Sequence, residues 1–417
     1  MKIERPIYLN KLITCRHNGM IKIVTGVRRC GKSFLLSELY ADWLKTHGVN
    51  ADHIININLE DRRNRELRDP DKLLDFIDSQ LLDEVQYYVM IDEIQHVPEF
   101  EDVLNSYLHI KNVDVYVTGS NARFLSKDVI TTFRGRGYEV KVHPLRFSEY
   151  YPVSGLSMTK ALRQRMIYGG LPQVVQLETD EQKSEFLKNL MEYTYLRDIV
   201  DRYKIRNTDV LDELVNILAS SIGGLTNPTK LANTFESVKH EKVGNKTISA
   251  YIDYLCDSFI MERASRYDIK GKKLIDSPFK YYFVDEGMRN ARLNFRQVEF
   301  THLMENLIYN ELRIRGFNVD VGVVPIQRRV DDNRRERVQL EVDFVCNLGS
   351  RRYYIQSAFK MPDEEKFQQE ESSLRNIDDS FKKIIIVGEE TPVMRTEAGT
   401  TIISIYDFLL NENSLDL

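Results

Sequence analysis

Gly26-Val27-Arg28-Arg29-Cys30-Gly31-Lys32-Ser33 fits the phosphate-loop pattern GxxxxGK(S/T) at every required position. Its flanks agree with the pattern. Met20 to Thr25 is a short apolar run that leads into Gly26, and Ser33 to Trp43 follows with helical spacing. Glycines let the backbone fold tightly, so its N–H groups point at phosphate oxygens, and the start of the helix adds a favourable dipole. Lys32 is expected to neutralise the β- and γ-phosphates of ATP, and Ser33 to ligate Mg²⁺. The expected nucleotide cradle runs from Gly26 through Phe34.

The loop needs acidic partners, and the next apolar strand supplies them. Tyr88-Val89-Met90-Ile91 ends in Asp92-Glu93. Asp92 is expected to hold Mg²⁺ through water, and Glu93 to orient the attacking water as general base. Val113 to Thr118 is another apolar strand, followed by Gly119-Ser120-Asn121. Ser120 and Asn121 are both candidates to sense the γ-phosphate, with plain turn chemistry as the alternative. Phe133-Arg134-Gly135-Arg136-Gly137 offers two arginines. Arg136 is favoured to stabilise charge on the transferring phosphoryl group, in cis or from a neighbouring copy, so an oligomer stays open.

The bulk numbers agree with a multi-domain globular chain. At about 100–200 residues per domain, 417 residues suggest two to four domains. Hydrophobic residues make up 42% and charged residues 29%, enough for sizeable cores without disulfide staples. The net charge of −5 excludes nucleic-acid binding by bulk charge and leaves local patches only. Cys15, Cys30, Cys256 and Cys346 are scattered, with no CxxC pair, which argues against a zinc site or a disulfide framework. Residues 1–20 lack a signal-peptide core, and no apolar run approaches the ~18 residues of a membrane span. The expectation is a cytoplasmic protein with no membrane partner.

Further along, the pattern changes three times. Residues 1–150 alternate strand-like and helix-like segments, including His53 to Leu59, Lys72 to Glu84 and Tyr138 to His143, which implies a parallel sheet. Residues 151–222 read as a helical lid, broken at Gly169-Gly170-Leu171-Pro172 and carrying helices over Glu181 to Val200 and Val210 to Ile222. Residues 223–285 read as a winged helix. In it, Asn227 caps a first helix and Lys246 to Phe259 forms a second. The strands Ile260 to Ile269 and Lys280 to Val284 flank a turn at Gly271-Lys272-Lys273. Residues 286–417 return to α/β, with a helix over Phe300 to Arg313 and strands near Val319 to Gln327, Val338 to Cys346, Tyr353 to Phe359 and Lys383 to Val387.

A winged helix reads DNA with its second helix. Here that helix carries Lys246, Thr247, Ser249, Tyr251 and Asp253, preceded by Lys242, with Lys270, Lys272 and Lys273 on the wing. That set serves DNA or a protein partner equally well, because fold alone does not decide function. Arg328 to Arg337 is diluted by Asp331, Asp332 and Glu336 and reads as a solvated hairpin loop.

The stretches GVRRCGKS, YYVMIDEIQ, VTGSNARFLS, FRGRGYEV, PLRFSEY, YGGLPQVV, YLRDIV, YDIKGKKLI, YYFVDEGMRNA and LEVDFV together resemble a family of bacterial and archaeal AAA-type ATPases with a C-terminal domain of uncharacterised function. The resemblance spans nearly the whole chain. It implies an α/β fold in four parts: a parallel-sheet AAA-like P-loop domain, a helical lid, a winged helix and a C-terminal α/β domain like PD-(D/E)xK nucleases. It carries over Lys32, Ser33, Asp92 and Glu93, and also Asn121 and Arg136.

A PD-(D/E)xK site needs two carboxylates to hold Mg²⁺ and a lysine two residues beyond the second acid. Asp343 can be the first acid, and Glu305 on the preceding helix another. Gln356 stands where the second acid belongs and Ala358 where the lysine belongs. A neutral amide binds Mg²⁺ weakly. Lys360 shares the strand face of Ala358 but sits roughly 6–7 Å further along. The nuclease-like domain is therefore expected to be inactive. The expected function is a Mg²⁺-dependent ATPase acting as a switch or remodeller on a nucleic-acid or protein partner. The alternatives are an ATP-gated binding regulator with little turnover and, less favoured, an ATP-regulated nuclease.

Overall fold

The computed structural model describes residues 2–119, 133, 135–239, 242–331, 334–361 and 364–417. These form two compact units. One takes residues 1–145, 171–173 and 257–259, and the other takes residues 146–170, 174–256 and 260–417.

The first unit is built on a five-stranded sheet of order β2-β3-β4-β1-β5, parallel throughout. Its strands are β1 (Ile21–Thr25), β2 (Ile54–Asn58), β3 (Tyr87–Asp92), β4 (Val113–Thr118) and β5 (Gly137–Lys141). The strand period of two sends Ile21 and Ile23 to one face, where they join Val89, Ile91, Val115 and Val117 in a buried core. Helix Pro70–Gln80 covers this core with Leu73 and Ile77, each fully buried and contributing about 1.5–3 kcal/mol. Asp69 starts that helix by accepting from the N–H groups of Asp71 and Lys72, both at 3.1 Å. The helix stops at Gln80 rather than Glu84, because Asp83 turns the chain by accepting from the Val85 N–H at 2.9 Å.

Lys22 faces the other way from Ile21 and Ile23 and is fully buried. Its ammonium pairs with Asp114, whose second oxygen accepts from the Tyr116 hydroxyl at 2.8 Å. Since β1, β3 and β4 are parallel neighbours, Thr25, Asp92 and Thr118 end at the same edge of the sheet, where the phosphate loop begins.

The second unit opens with helices. Thr179 and Gln182 form a reciprocal cap, each bond 3.2 Å, at the head of a helical run. That run passes from Asp180–Asn189 through a π-helical stretch, Leu190–Leu196, to Arg197–Tyr203. Pro228–Lys239 and Asn245–Asp257 follow, with Asn227 accepting from the Lys230 N–H at 2.7 Å.

An eight-stranded sheet of order β12-β13-β11-β10-β9-β8-β6-β7 completes the unit. Its strands are β6 (Met261–Asp268), β7 (Lys273–Phe283), β8 (Asn318–Asp331), β9 (Arg334–Leu348), β10 (Arg351–Ala358), β11 (Lys382–Val387), β12 (Met394–Arg395) and β13 (Thr401–Ser404). The hairpin β6–β7 joins this sheet through parallel pairing of β6 with β8. β7 begins seven residues before the expected Lys280, and its polar first half hides it from a hydrophobic reading. The solvated loop expected over 328–337 is also corrected. β8 and β9 stay paired through Gln327 with Arg337 and Arg328 with Glu336, because backbone groups pair whatever charge the side chains carry.

Candidate nucleotide site

Gly26 lies at φ 136°, and a Cβ there would stand 2.0 Å from the Val142 carbonyl oxygen, so only glycine fits. Gly31, at φ 100°, would place an added Cβ in ordinary contact with Arg5 Nη1 at 3.5 Å, so its backbone conformation rather than lack of space favours glycine there. Arg29 between them is left-handed at φ 64°. Arg5 was not singled out by any motif. Its buried guanidinium donates to the Cys30 carbonyl at 2.9 Å and the His143 carbonyl at 2.6 Å, clamping the loop to the segment after β5. Cys30 is fully buried, and burial pushes its thiol pKa up. Arg28 pairs with Glu60 at 3.0 Å, and Arg29 donates to Gln173 at 3.2 Å. Phe34 is partly exposed on the first helical turn.

Lys32 is only 4% exposed. Its ammonium curls onto the Gly26 and Val27 carbonyl oxygens at 3.1 and 3.2 Å, and among the described residues no carboxylate pairs with it. Ser33 Oγ donates to Asp92 Oδ1 at 2.9 Å. The Thr118 hydroxyl donates to the same carboxylate oxygen and accepts from the Glu93 N–H at 2.9 Å. Burial raises the Asp92 pKa most. The bonds from Thr118 and Ser33 oppose it, Glu93 raises it further and Lys32 lowers it. Glu93 is left-handed at φ 56°, and its carboxylate accepts from the Gln95 amide. A buried ammonium facing only neutral carbonyls, beside a hydroxyl–carboxylate pair, fits a phosphate chain carrying Mg²⁺.

Two family models match the chain. One, described as an AAA domain, matches residues 18–151, and one described as a domain of unknown function matches residues 159–299. An uncharacterized protein of Haemophilus influenzae is 32% identical over 417 residues, covering 98% of each chain. The chain belongs to the same family as this protein. An uncharacterized protein of Methanocaldococcus jannaschii is 27% identical over 358 residues, covering 83% of this chain and 76% of that one. Among solved structures, the Aeropyrum pernix ORC1 protein in complex with DNA is similar over 70% of this chain and 92% of its own, at 14% identity and a TM-score of 0.29. Among the described residues, no helix is long and apolar enough to cross a membrane.

The remaining candidates around the loop separate clearly. Ser120, Asn121 and Arg134 lie outside the described residues. Arg136 is exposed just before β5, and its carbonyl accepts from the Ile21 N–H at 2.9 Å. That places it at the N-terminal edge of the parallel sheet, roughly 15 Å of strand from the phosphate loop. The structure therefore does not bring Arg136 to the Lys32 site of its own chain.

In the second unit, Lys246, Thr247 and Asp253 are exposed, as a contact helix requires. Tyr251 is a correction. It is buried in a stripe with Ile248, Ile252 and Leu255, and its hydroxyl reaches the Asn207 carbonyl at 3.5 Å. Lys272 and Lys273 are exposed, while Lys270 lies 3.8 Å from Asp378.

Asp343 and Glu305 do converge, but on a residue that no motif indicated. Lys280 Nζ lies 2.9 Å from Glu305 Oε1, 2.8 Å from Glu341 Oε1 and 3.8 Å from Asp343 Oδ1. A lysine within the apolar half of a strand, Phe279-Lys280-Tyr281-Tyr282-Phe283, was the signal available. Burial, and next Glu305, push Asp343 up to about 7, against the pull of Lys280. Gln356 accepts from the Asp343 N–H at 3.3 Å and donates to Glu370 at 3.1 Å. Ala358 is buried, and Lys360 is exposed on an open cleft of about 530 Å³ shared with Ser357 and Glu370.

Two other stretches of the resemblance are joined by buried polar bonds. Asp285 accepts from the Gly170 N–H at 2.6 Å and the Met288 N–H at 3.1 Å. Arg165 pairs with Glu286, and Asn290 donates to the Met166 and Ile167 carbonyls at 3.0 and 2.8 Å.

Proposed function

We propose that this protein is a cytoplasmic, Mg²⁺-dependent ATPase that acts as a switch or remodeller on a nucleic-acid or protein partner. The observation that carries this reading is the bonded series Ser33, Asp92, Thr118 and Glu93 beside the buried Lys32 ammonium. Backbone N–H groups of the loop would hold the phosphates of ATP, and Lys32 would neutralise them. Ser33 and Asp92 would hold Mg²⁺, which neutralises charge on the β- and γ-oxygens. Glu93 would take the proton of the attacking water. Asn121 would sense the γ-phosphate, and Arg136 would act on the site of a neighbouring copy, consistent with its place far from its own loop.

The proposed division is an ATPase domain over 1–150, a lid over 151–222, a winged helix over 223–285 and an inactive nuclease-like domain over 286–417. Two helices followed by the hairpin β6–β7 support the winged helix. Helix Phe300–Ile314, the strands β8, β9 and β10, helix Glu364–Arg375 and β11 support the nuclease-like part. A second reading, ATP-gated binding with little turnover, is favoured by one observation. The Glu93 carboxylate is already engaged by Gln95.

Turnover measured with DNA, with RNA and with neither separates these readings. Lys32→Ala is expected to abolish it. Glu93→Gln is expected to keep ATP bound while slowing hydrolysis about 10²-fold or more. A wild-type rate no higher than that of Lys32→Ala under all three conditions supports the second reading, and absence of ATP binding sinks both.

A further inference from the structure

Three carboxylates of the second unit surround a cation that the chain itself provides. Glu341 and Asp343 stand two residues apart on β9 and so share a strand face. Glu305 comes from helix Phe300–Ile314, and Lys280 from β7. Lys280 is 2% exposed, Asp343 8% and Glu305 9%.

We propose that the Lys280 ammonium is a built-in replacement for a divalent cation, so that this carboxylate cage is held together without metal. Nothing in this depends on the phosphate loop. The cage does not match the metal that the nuclease resemblance implies. Among the described residues, no group of three or more His, Cys, Asp or Glu is arranged to hold a metal ion. The oxygens of Glu305 and Glu341 stand 2.9 and 2.8 Å from Nζ, the distance of a charge-assisted hydrogen bond. Mg²⁺ would require about 2.0–2.1 Å.

Two further bonds tie the carboxylates to the fold, while the Glu341 side chain remains 38% exposed. Tyr282, on the same face of β7 as Lys280, donates its hydroxyl to Glu305 Oε1 at 2.7 Å. Asp343 Oδ2 accepts from the Ser357 N–H at 2.8 Å. Gly223, at φ 72°, lies so close that an added Cβ would stand 2.9 Å from Glu305 Oε2. Backbone thus packs against the second Glu305 oxygen. Ala358, at the position of the nuclease lysine, offers no charge, and the only ammonium within reach of all three carboxylates among the described residues is Lys280.

The test removes the ammonium and asks whether metal takes its place. Mn²⁺ binding to the full-length protein without nucleotide is counted by electron paramagnetic resonance. The variants are Lys280→Ala, Lys280→Met (which keeps much of the buried stem), Asp343→Asn and Lys280→Ala combined with Asp343→Asn. Any Mn²⁺ at the phosphate loop is common to all of them. The wild type and Asp343→Asn are expected to bind the same number of ions. Lys280→Ala or Lys280→Met is expected to gain one, and the double variant to lose it again. A wild-type ion that Asp343→Asn removes overturns the proposal, because metal and lysine would then coexist. So does a folded Lys280 variant that gains no ion. Should the variants be unfolded, refolding on addition of Mn²⁺ supports the proposal, and failure of both to fold with Mn²⁺ overturns it.

Discussion

Thr118 ends β4 with its hydroxyl between two acidic residues. It donates to Asp92 and accepts from the Glu93 N–H, and it is fully buried. One hydroxyl therefore fixes both the carboxylate proposed for Mg²⁺ and the backbone of the proposed base. Thr118→Val keeps the shape and removes both bonds, leaving a buried N–H unsatisfied at a cost of about 1–3 kcal/mol. It also removes a bond that holds the Asp92 pKa down, so the carboxyl becomes harder to ionise. The expected outcome is a lower thermal midpoint and a loss of ATP affinity that is larger with Mg²⁺ than without it. Thr118→Ser should recover most of both. An equal loss with and without Mg²⁺ would mean that Thr118 acts on the fold alone. Fluorescent-nucleotide titration with and without the metal reads the difference.

At the scale of elements, the short helix Glu286–Arg292 shows how a buried charge sets a pH dependence. Asp285 caps it and also holds the Gly170 N–H, while fully buried. Burial raises its pKa to about 6, with Arg165 opposing and Glu286 adding to the rise. Its unfolded value is about 3.9. The folded state thus binds this proton more tightly than the unfolded one. Its contribution to stability is greatest below about pH 4, falls as pH rises to about 6 and is flat above, a change on the order of 3 kcal/mol. Asp285→Asn should flatten that window in urea unfolding at pH 4.5 and 7.5, and an unchanged slope would count against the assignment.

The same helix shows what a sequence can display. Glu286 through Ala291 are all buried, so no polar face alternates with an apolar one and the helical period is invisible. Its partners lie far off in sequence, at Gly170 and Arg165. The motif was legible as a resemblance, but its bonding was not. Strand β2 shows the opposite case, since Ile55 and Ile57 are buried while Asn56 and Asn58 are exposed, a period of two that can be read directly. The phosphate loop and the proposed partners Asp92 and Glu93 stand out in the sequence because the chemistry proposed for them fixes residue types at fixed places. Thr118, Arg5 and Lys280 do not, because a hydroxyl, a guanidinium or an ammonium inside a fold carries no local pattern.

For the whole molecule, charge limits what the proposed winged helix can do. The chain has 58 Lys and Arg against 63 Asp and Glu. Among the described residues buried acids outnumber buried bases, so part of that excess is internal and the surface is nearer neutral. A neutral surface does not attract DNA at long range, and binding must come from a small group of contacts. The candidates are the exposed Lys246, Lys272 and Lys273, since Lys242 already faces Glu236 and Lys270 faces Asp378. About three phosphate contacts give a slope near −3 for log affinity against log salt. Duplex binding followed by fluorescence anisotropy between 50 and 200 mM salt is expected to show that shallow dependence. Replacing Lys272 and Lys273 together by alanine should weaken binding to all sequences alike and reduce the slope by about 2. A steep slope that survives the double replacement would move the nucleic-acid surface elsewhere, and leave the hairpin β6–β7 to its place in the eight-stranded sheet.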